Sequence, residues 1–177
     1  MSSSGRLAGL ALVSLLALAG CGFQPLYGER PTGPAEENLA RISVGVIADR
    51  TGQILRNELG TRLDPNNLGL DPLYSLRVSL TESTSNIALR RDTSATRANL
   101  TLTASYSLVQ NGANEALYSG AVRSVNSYDI LSTENEFGTL TSREEARRRA
   151  ARDIADQIAL RLALALDHAG RTNRPAR

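Results

Sequence analysis

Few residues of this chain could do chemistry, and one of them stands where a specific reaction needs it. Cys21 is the only cysteine. It follows Leu18-Ala19-Gly20 at the end of a charge-free apolar run from Leu7 to Ala19, behind a single basic residue, Arg6. Small residues at a cut site with a thiol directly after it allow diacylglycerol transfer to sulfur before cleavage, which is the form of the bacterial lipobox. The run is shorter than the roughly 20 apolar residues a helix needs to cross a bilayer core. A basic start, a short apolar stretch and small residues at its end are the layout of a secretory signal. Residues 1–20 are therefore expected to be a signal peptide, and Cys21 the lipidated first residue of the mature chain. The competing reading is an ordinary signal peptide whose cysteine is incidental.

The remaining catalytic inventory is empty. With one cysteine there is no intramolecular disulfide, although an exported protein could hold one. His168 is the only histidine, and no serine lies in a Gly-x-Ser-x-Gly turn that could use it as a base. It reads instead as a partner for the negative end of a helix dipole. Histidine and cysteine clusters for a metal are lacking, as is a glycine-rich phosphate loop. Glu134 and Glu136 are a possible carboxylate pair, equally well explained as loop solubility. The sequence thus predicts no enzyme, no metal and no cofactor.

All 20 basic residues are arginine. Without Arg6 they nearly balance the 18 acids, so there is no polybasic footprint for nucleic acid, and export makes that partner unsuitable anyway. Arg143, Arg147, Arg148, Arg149 and Arg152 fall in a helical stretch with acids at i,i+4 offsets: Glu144 with Arg148, Glu145 with Arg149, Arg149 with Asp153, Arg152 with Asp156. They read as a solvated helix face. Arg90, Arg91 and Arg97 differ, because they surround a turn between two strands with only Asp92 nearby. Forked guanidinium groups at such a tip suit a phosphate-bearing ligand, or simply keep the tip soluble.

The elements that must position these residues follow from hydrophobic periodicity. Gly22 to Asn38, with Pro25, Pro31 and Pro34, reads as a tether. Ile42, Val44 and Val46 alternate in a strand from Ala40 to Ile47. Leu55, Leu59 and Leu63 recur at i+4 in a helix that Asp49 or Thr51 could cap. Two longer alternations follow, Tyr74 to Thr81 and Ala98 to Leu108. Asn111-Gly112 supplies a hairpin turn, and Ala116 to Asn126 returns. A capping box, Ser142 and Glu145, opens a last helix with an unbroken stripe at Ala146, Ala150, Ile154, Ile158, Leu162 and Leu166. Gly170 is expected to close it, leaving residues 171–177 as a polar tail. The expected fold is α+β, a two-layer sandwich with two helices on one face of a four-stranded mixed sheet in the order β-α-β-β-β-α, and one domain over residues 39–170. The face turned from the helices would carry Ser79, Thr81, Thr101, Thr103, Ser105 and Ser107. A sheet face in bulk water usually carries more charge than this, so a protein partner could cover it; threonine is also simply a good strand former.

Taken in order, Cys21-Gly22-Phe23-Gln24-Pro25-Leu26-Tyr27-Gly28, the Ala98-to-Leu108 alternation, Ser119-Gly120 followed by Arg123 and Ser127-Tyr128, and the alanine-rich final helix resemble the LptE family of lipopolysaccharide-assembly lipoproteins. The resemblance implies two helices on a four-stranded sheet, inserted as a plug into the outer-membrane barrel LptD in a 1:1 complex. It also implies a lipid anchor on the periplasmic side of the outer membrane and a part in delivering lipopolysaccharide to the cell surface without catalysis. Family members can carry basic residues before the last helix; Ser124 to Ser142 holds none here, which moves the expected phosphate contact to Arg90 and Arg91. An auxiliary lipoprotein of an ABC-type lipid transport system is the alternative, and an anchored hydrolase is disfavoured by the missing catalytic groups.

Overall fold

Strict alternation over three long stretches builds a sheet, and two helices cover one side of it. In the computed structural model, which describes residues 34–88, 96–131 and 136–172, the order is α1 (Pro34–Ala40), β1 (Ile42–Val44), α2 (Asp49–Leu63), β2 (Tyr74–Ala88), β3 (Thr96–Gln110), β4 (Ala116–Ile130) and α3 (Glu136–Thr172). The four strands lie side by side as β1-β2-β3-β4. β1 pairs parallel with the first residues of β2, from Ile42 opposite Tyr74 to Val44 opposite Leu76. The other pairs are antiparallel. A parallel pair needs a crossover, and α2 supplies it.

Packing follows the period of each element. On β3 the even residues from Ala98 to Leu108 are all buried, and Leu55, Leu59 and Leu63 of α2 meet them in one core. The stripe from Ala146 to Leu166 on α3 is buried along its whole length, with Ala151 and Ala155 beside it. Alanines let this helix lie close to the sheet, while each fully buried leucine contributes about 1.5–3 kcal/mol. The α+β sandwich with a four-stranded mixed sheet is the fold observed.

Several boundaries differ from the sequence expectation. Pro34–Ala40, within and just beyond the stretch expected as tether, forms a short additional helix with proline at its start and Glu36 and Glu37 in its first turn. Proline suits that position because its missing N–H would be unpaired there in any case. β1 has three residues rather than eight, because the chain leaves the sheet once the Gly45 amide has bonded the Leu76 carbonyl at 2.9 Å. Neither Asp49 nor Thr51 caps α2; its N-cap is Ala48, without a side-chain bond. α3 begins six residues before Ser142, at Glu136. Its first turn is tied to the sheet by the Leu131 amide, which donates to Thr139 Oγ1 at 2.9 Å, so the capping-box pair lies inside the helix. Nor does Gly170 end it: the helix runs to Thr172, taking Arg171 and Thr172 out of the expected tail. The expected turn at Asn111-Gly112 is present. Gly112 has φ +88°, a conformation open to glycine and strained for most other residues.

Candidate partner-binding face

Alternation that sends even residues of β3 into the core sends its odd residues to the opposite face, where no described element covers them. Register places Ser79 opposite Ser105 and Thr81 opposite Thr103, with Ser107 beside Arg77 and Thr101 beside Ser83. All six residues singled out from the sequence therefore share one patch. Ser79, Thr81 and Ser105 are exposed, and Thr101, Thr103 and Ser107 half-buried. The patch is wider than the sequence reading had it. Ser83 and Ser85 extend it along β2, and Ser119, Val125 and Ser127 across β4. The signal was present, since hydroxyls continue at every second residue past Thr81; Glu82 interrupts the apolar partner positions and hid the continuation.

Charge on this face is sparse. Arg77 and Arg123 are exposed, and Arg97 pairs across the strands with Asp129 at 3.2 Å. Ser127 Oγ donates to Asn99 Oδ1 at 2.7 Å. Neutral hydroxyls lose little on desolvation when a partner supplies hydrogen bonds, whereas buried unpaired ions cost several kcal/mol. A polar but weakly charged surface can thus exchange water for a polar wall with small net loss.

The two basic clusters part ways. Arg90 and Arg91 lie outside the described residues, and Arg97 is engaged by Asp129. The α3 cluster divides: Arg148 and Arg152 are exposed, as on the expected solvated face, whereas Arg143 and Arg147 turn toward the sheet. Arg147 grips Glu82 of β2 with Nε and Nη2 at 2.9 and 2.8 Å, and Arg143 reaches the same carboxylate at 3.3 Å. Of the four expected helical pairs, the one between Glu145 and Arg149 forms, at 3.9 Å. Asp156 instead meets Arg62 of α2. Asp153 accepts from Ser124 Oγ at 2.7 Å and Asn126 Nδ2 at 3.1 Å on β4. Hydrogen bonding to Arg147, ahead of the Coulombic pull of both guanidinium groups, holds the Glu82 carboxyl below its ordinary pKa against the opposing effect of burial. The helix face is cross-linked to the sheet. Sequence offsets alone favour partners on the same helix and do not see those on a packed neighbour.

Gly120, part of the Ser-Gly pair noted in the sequence, has a packing reason. It stands opposite Tyr106, and a Cβ there would lie 2.9 Å from the Tyr106 hydroxyl. The Tyr106 ring, 3% exposed, lies beside Tyr118 with centroids 6.1 Å apart.

Comparison with known proteins agrees with this architecture. Residues 39–162 match the LptE family, described as lipopolysaccharide-assembly. Among solved structures, the chain is similar to a candidate lipoprotein of Caulobacter crescentus CB15, at 22% identity over 75% of this chain and 96% of that one, with a TM-score of 0.61. A minor lipoprotein of Acinetobacter baumannii aligns at 21% identity over 70% and 91% of the two chains, TM-score 0.53. Rare lipoprotein B of Shewanella oneidensis aligns at 14% over 73% and 98%, TM-score 0.53. At such identities these structures bear on the fold alone. No curated protein sequence matches the chain.

Proposed function

Since the chain belongs to the LptE family of lipopolysaccharide-assembly proteins, we propose that it plugs the LptD barrel of the outer membrane, anchored through lipid on Cys21, and takes part there in passing lipopolysaccharide to the cell surface without catalysis. The observation that carries this reading is the asymmetry of the sheet: one face is packed by helices, and the other is broad, built of hydroxyls and covered by no described element. Large barrels have polar interior walls, which offer hydrogen-bond partners to such a face. α1 begins at Pro34, so the residues between Cys21 and the folded part could span at most about 40 Å when extended, which allows an anchored chain to reach into a lumen. Two or more acyl chains would make that anchor stable where one would be marginal.

Changing Thr101 and Thr103 together to Lys tests the face. The pair of ammonium groups should reduce co-purification of the barrel and make what remains sensitive to salt, while the isolated domain keeps its thermal midpoint. Wild-type yield at high salt would place the contact elsewhere, with α3 the next candidate. In the same reading the phosphates of lipopolysaccharide meet Arg90 and Arg91, with Arg97 joining if it leaves Asp129. Arg90→Asp with Arg91→Asp should lower lipopolysaccharide binding by the soluble domain and flatten its salt dependence; unchanged binding would remove the tip from the proposal. Cys21→Ser should abolish acyl labelling, and equal labelling of the two proteins would refute the anchor.

A further inference from the structure

The two edges of the sheet are treated differently. On β4, the outer carbonyls of Ala121 and Ser127 accept hydrogen bonds from Arg161 and Arg149 of α3, at 3.0 and 3.2 Å. Arginines laid along an edge block further strand pairing. On β2, the Tyr74 amide donates to Arg41 and the Leu76 carbonyl accepts from Gly45, which fixes the peptide groups of even-numbered residues as the ones facing outward. Beyond Leu76, no described strand pairs with that edge. The N–H and C=O groups of Val78, Leu80, Glu82, Thr84 and Asn86 therefore form a row about 27 Å long that no described strand fills.

Among the described residues, no side chain bonds the backbone of this row, and the register shift with β3 comes only at its end, after Asn86. The row contains no proline, and Glu82, its one charged residue, is turned toward α3 and held by Arg143 and Arg147. Beside Leu80 and Glu82 a cavity of about 290 Å³ separates β2 from the start of α2, room for a side chain of an added strand. Apolar residues stand exposed at both ends: Val46, 91% exposed where β1 leaves the sheet, and Ile87, 53% exposed near the end of β2.

We infer that the β2 edge from Val78 to Asn86 is a strand-addition site that takes an extended segment of the barrel's own polypeptide. The chemistry that complements the row is a peptide backbone in extended form. The occupant is the barrel chain because Ser79, Thr81 and Ser83 belong both to this edge strand and to the open face, so a chain seated on the face already borders the edge. The inference rests on the barrel reading above and deepens it.

Residue-resolved amide exchange on the acylated chain, alone and in purified complex with the barrel, tests it. In the complex, the amides of Val78, Leu80, Glu82, Thr84 and Asn86 should slow at least tenfold, while those of Ser79 and Thr81, already turned to β3, serve as internal controls. A complex in which the five amides exchange as in the free chain overturns the strand addition and leaves the barrel reading standing. Failure to form any complex overturns both. Protection that appears without the barrel and rises with protein concentration would make a second copy the occupant and refute the assignment. Thr84→Pro removes one outward donor at an exposed position whose amide does not serve β3. It should weaken the complex about tenfold with an unchanged thermal midpoint, and unaltered affinity in that folded variant would also overturn the inference.

Discussion

The two faces of β3 share a backbone and differ in everything else. Leu100, Leu102 and Leu108 are wholly or almost wholly buried under the helices, while Thr101 and Thr103, each one residue from Leu102, and Ser105 beyond them face outward. The inner face is held by shape, so a change in volume is felt there. The outer face contributes little to holding the domain together and is free to serve a partner. Side-chain alternation along a strand makes this division possible, since adjacent residues can be optimised for unrelated tasks.

The comparison breaks most visibly at Leu102. Leu102→Ala should cost about 2–5 kcal/mol, read as a lower denaturant midpoint with little change in slope, whereas Thr101→Ala next to it should scarcely move the midpoint. Gly120 comes next. Gly120→Val must displace the Tyr106 ring, and overpacking of this kind costs about 1–3 kcal/mol; thermal unfolding measures it, and an unchanged midpoint would mean the ring moves freely.

A smaller effect sharpens the role of the charges beneath the inner face. Glu82 has a folded pKa below its unfolded value, so the stability it contributes is present above about pH 4.3 and is lost as pH falls through the lower, folded pKa. At neutral pH Glu82→Gln should be less stable than wild type by on the order of 1 kcal/mol, given the partial exposure of the pair. That gap should close as the pH falls through the lowered, folded pKa; a gap independent of pH would show that geometry rather than charge makes the contribution. The smallest expected change is on the outer face. Thr101→Lys with Thr103→Lys should leave stability within about 0.5 kcal/mol, and a larger loss would mean this face is not free of structural duty.

Much of this contrast was legible from periodicity. Burial of the stripe from Ala146 to Leu166, the Leu55-Leu59-Leu63 repeat and the even residues of β3 was readable because a period of 3.6 or 2 identifies the apolar side directly. The ends of elements were less readable, as Ser142 shows. A capping-box pattern is local, yet the start of α3 is set by Thr139 reaching Leu131 on another element. Partners of the arginines escaped for the same reason. Arg147 pairs with Glu144 at a helical offset, at 3.6 Å, but its shorter bonds go to a carboxylate 65 residues away on β2. Of the candidate site, the six hydroxyl residues share one face as expected; Ser83 and Ser85 continue the alternation of β2 but were hidden by Glu82, while Ser119 and Ser127 joined only through strand register, which no single strand encodes.

α3 is about 55 Å long, and its attachment has a consequence for the order of folding. The hairpins β2–β3 and β3–β4 are local in sequence, while docking of α3 onto β2 and α2 joins residues 65 and 94 apart, and contacts of longer range form more slowly. Until it docks, the apolar side of β4 and the carbonyls of Ala121 and Ser127 are uncovered together, so the nearly complete molecule is also the one most prone to aggregate. Arg149 and Arg161 then act as a late seal: the helix that completes the core also closes the sticky border of the sheet. A holding chaperone would matter most in that last interval, between hairpin formation and helix docking.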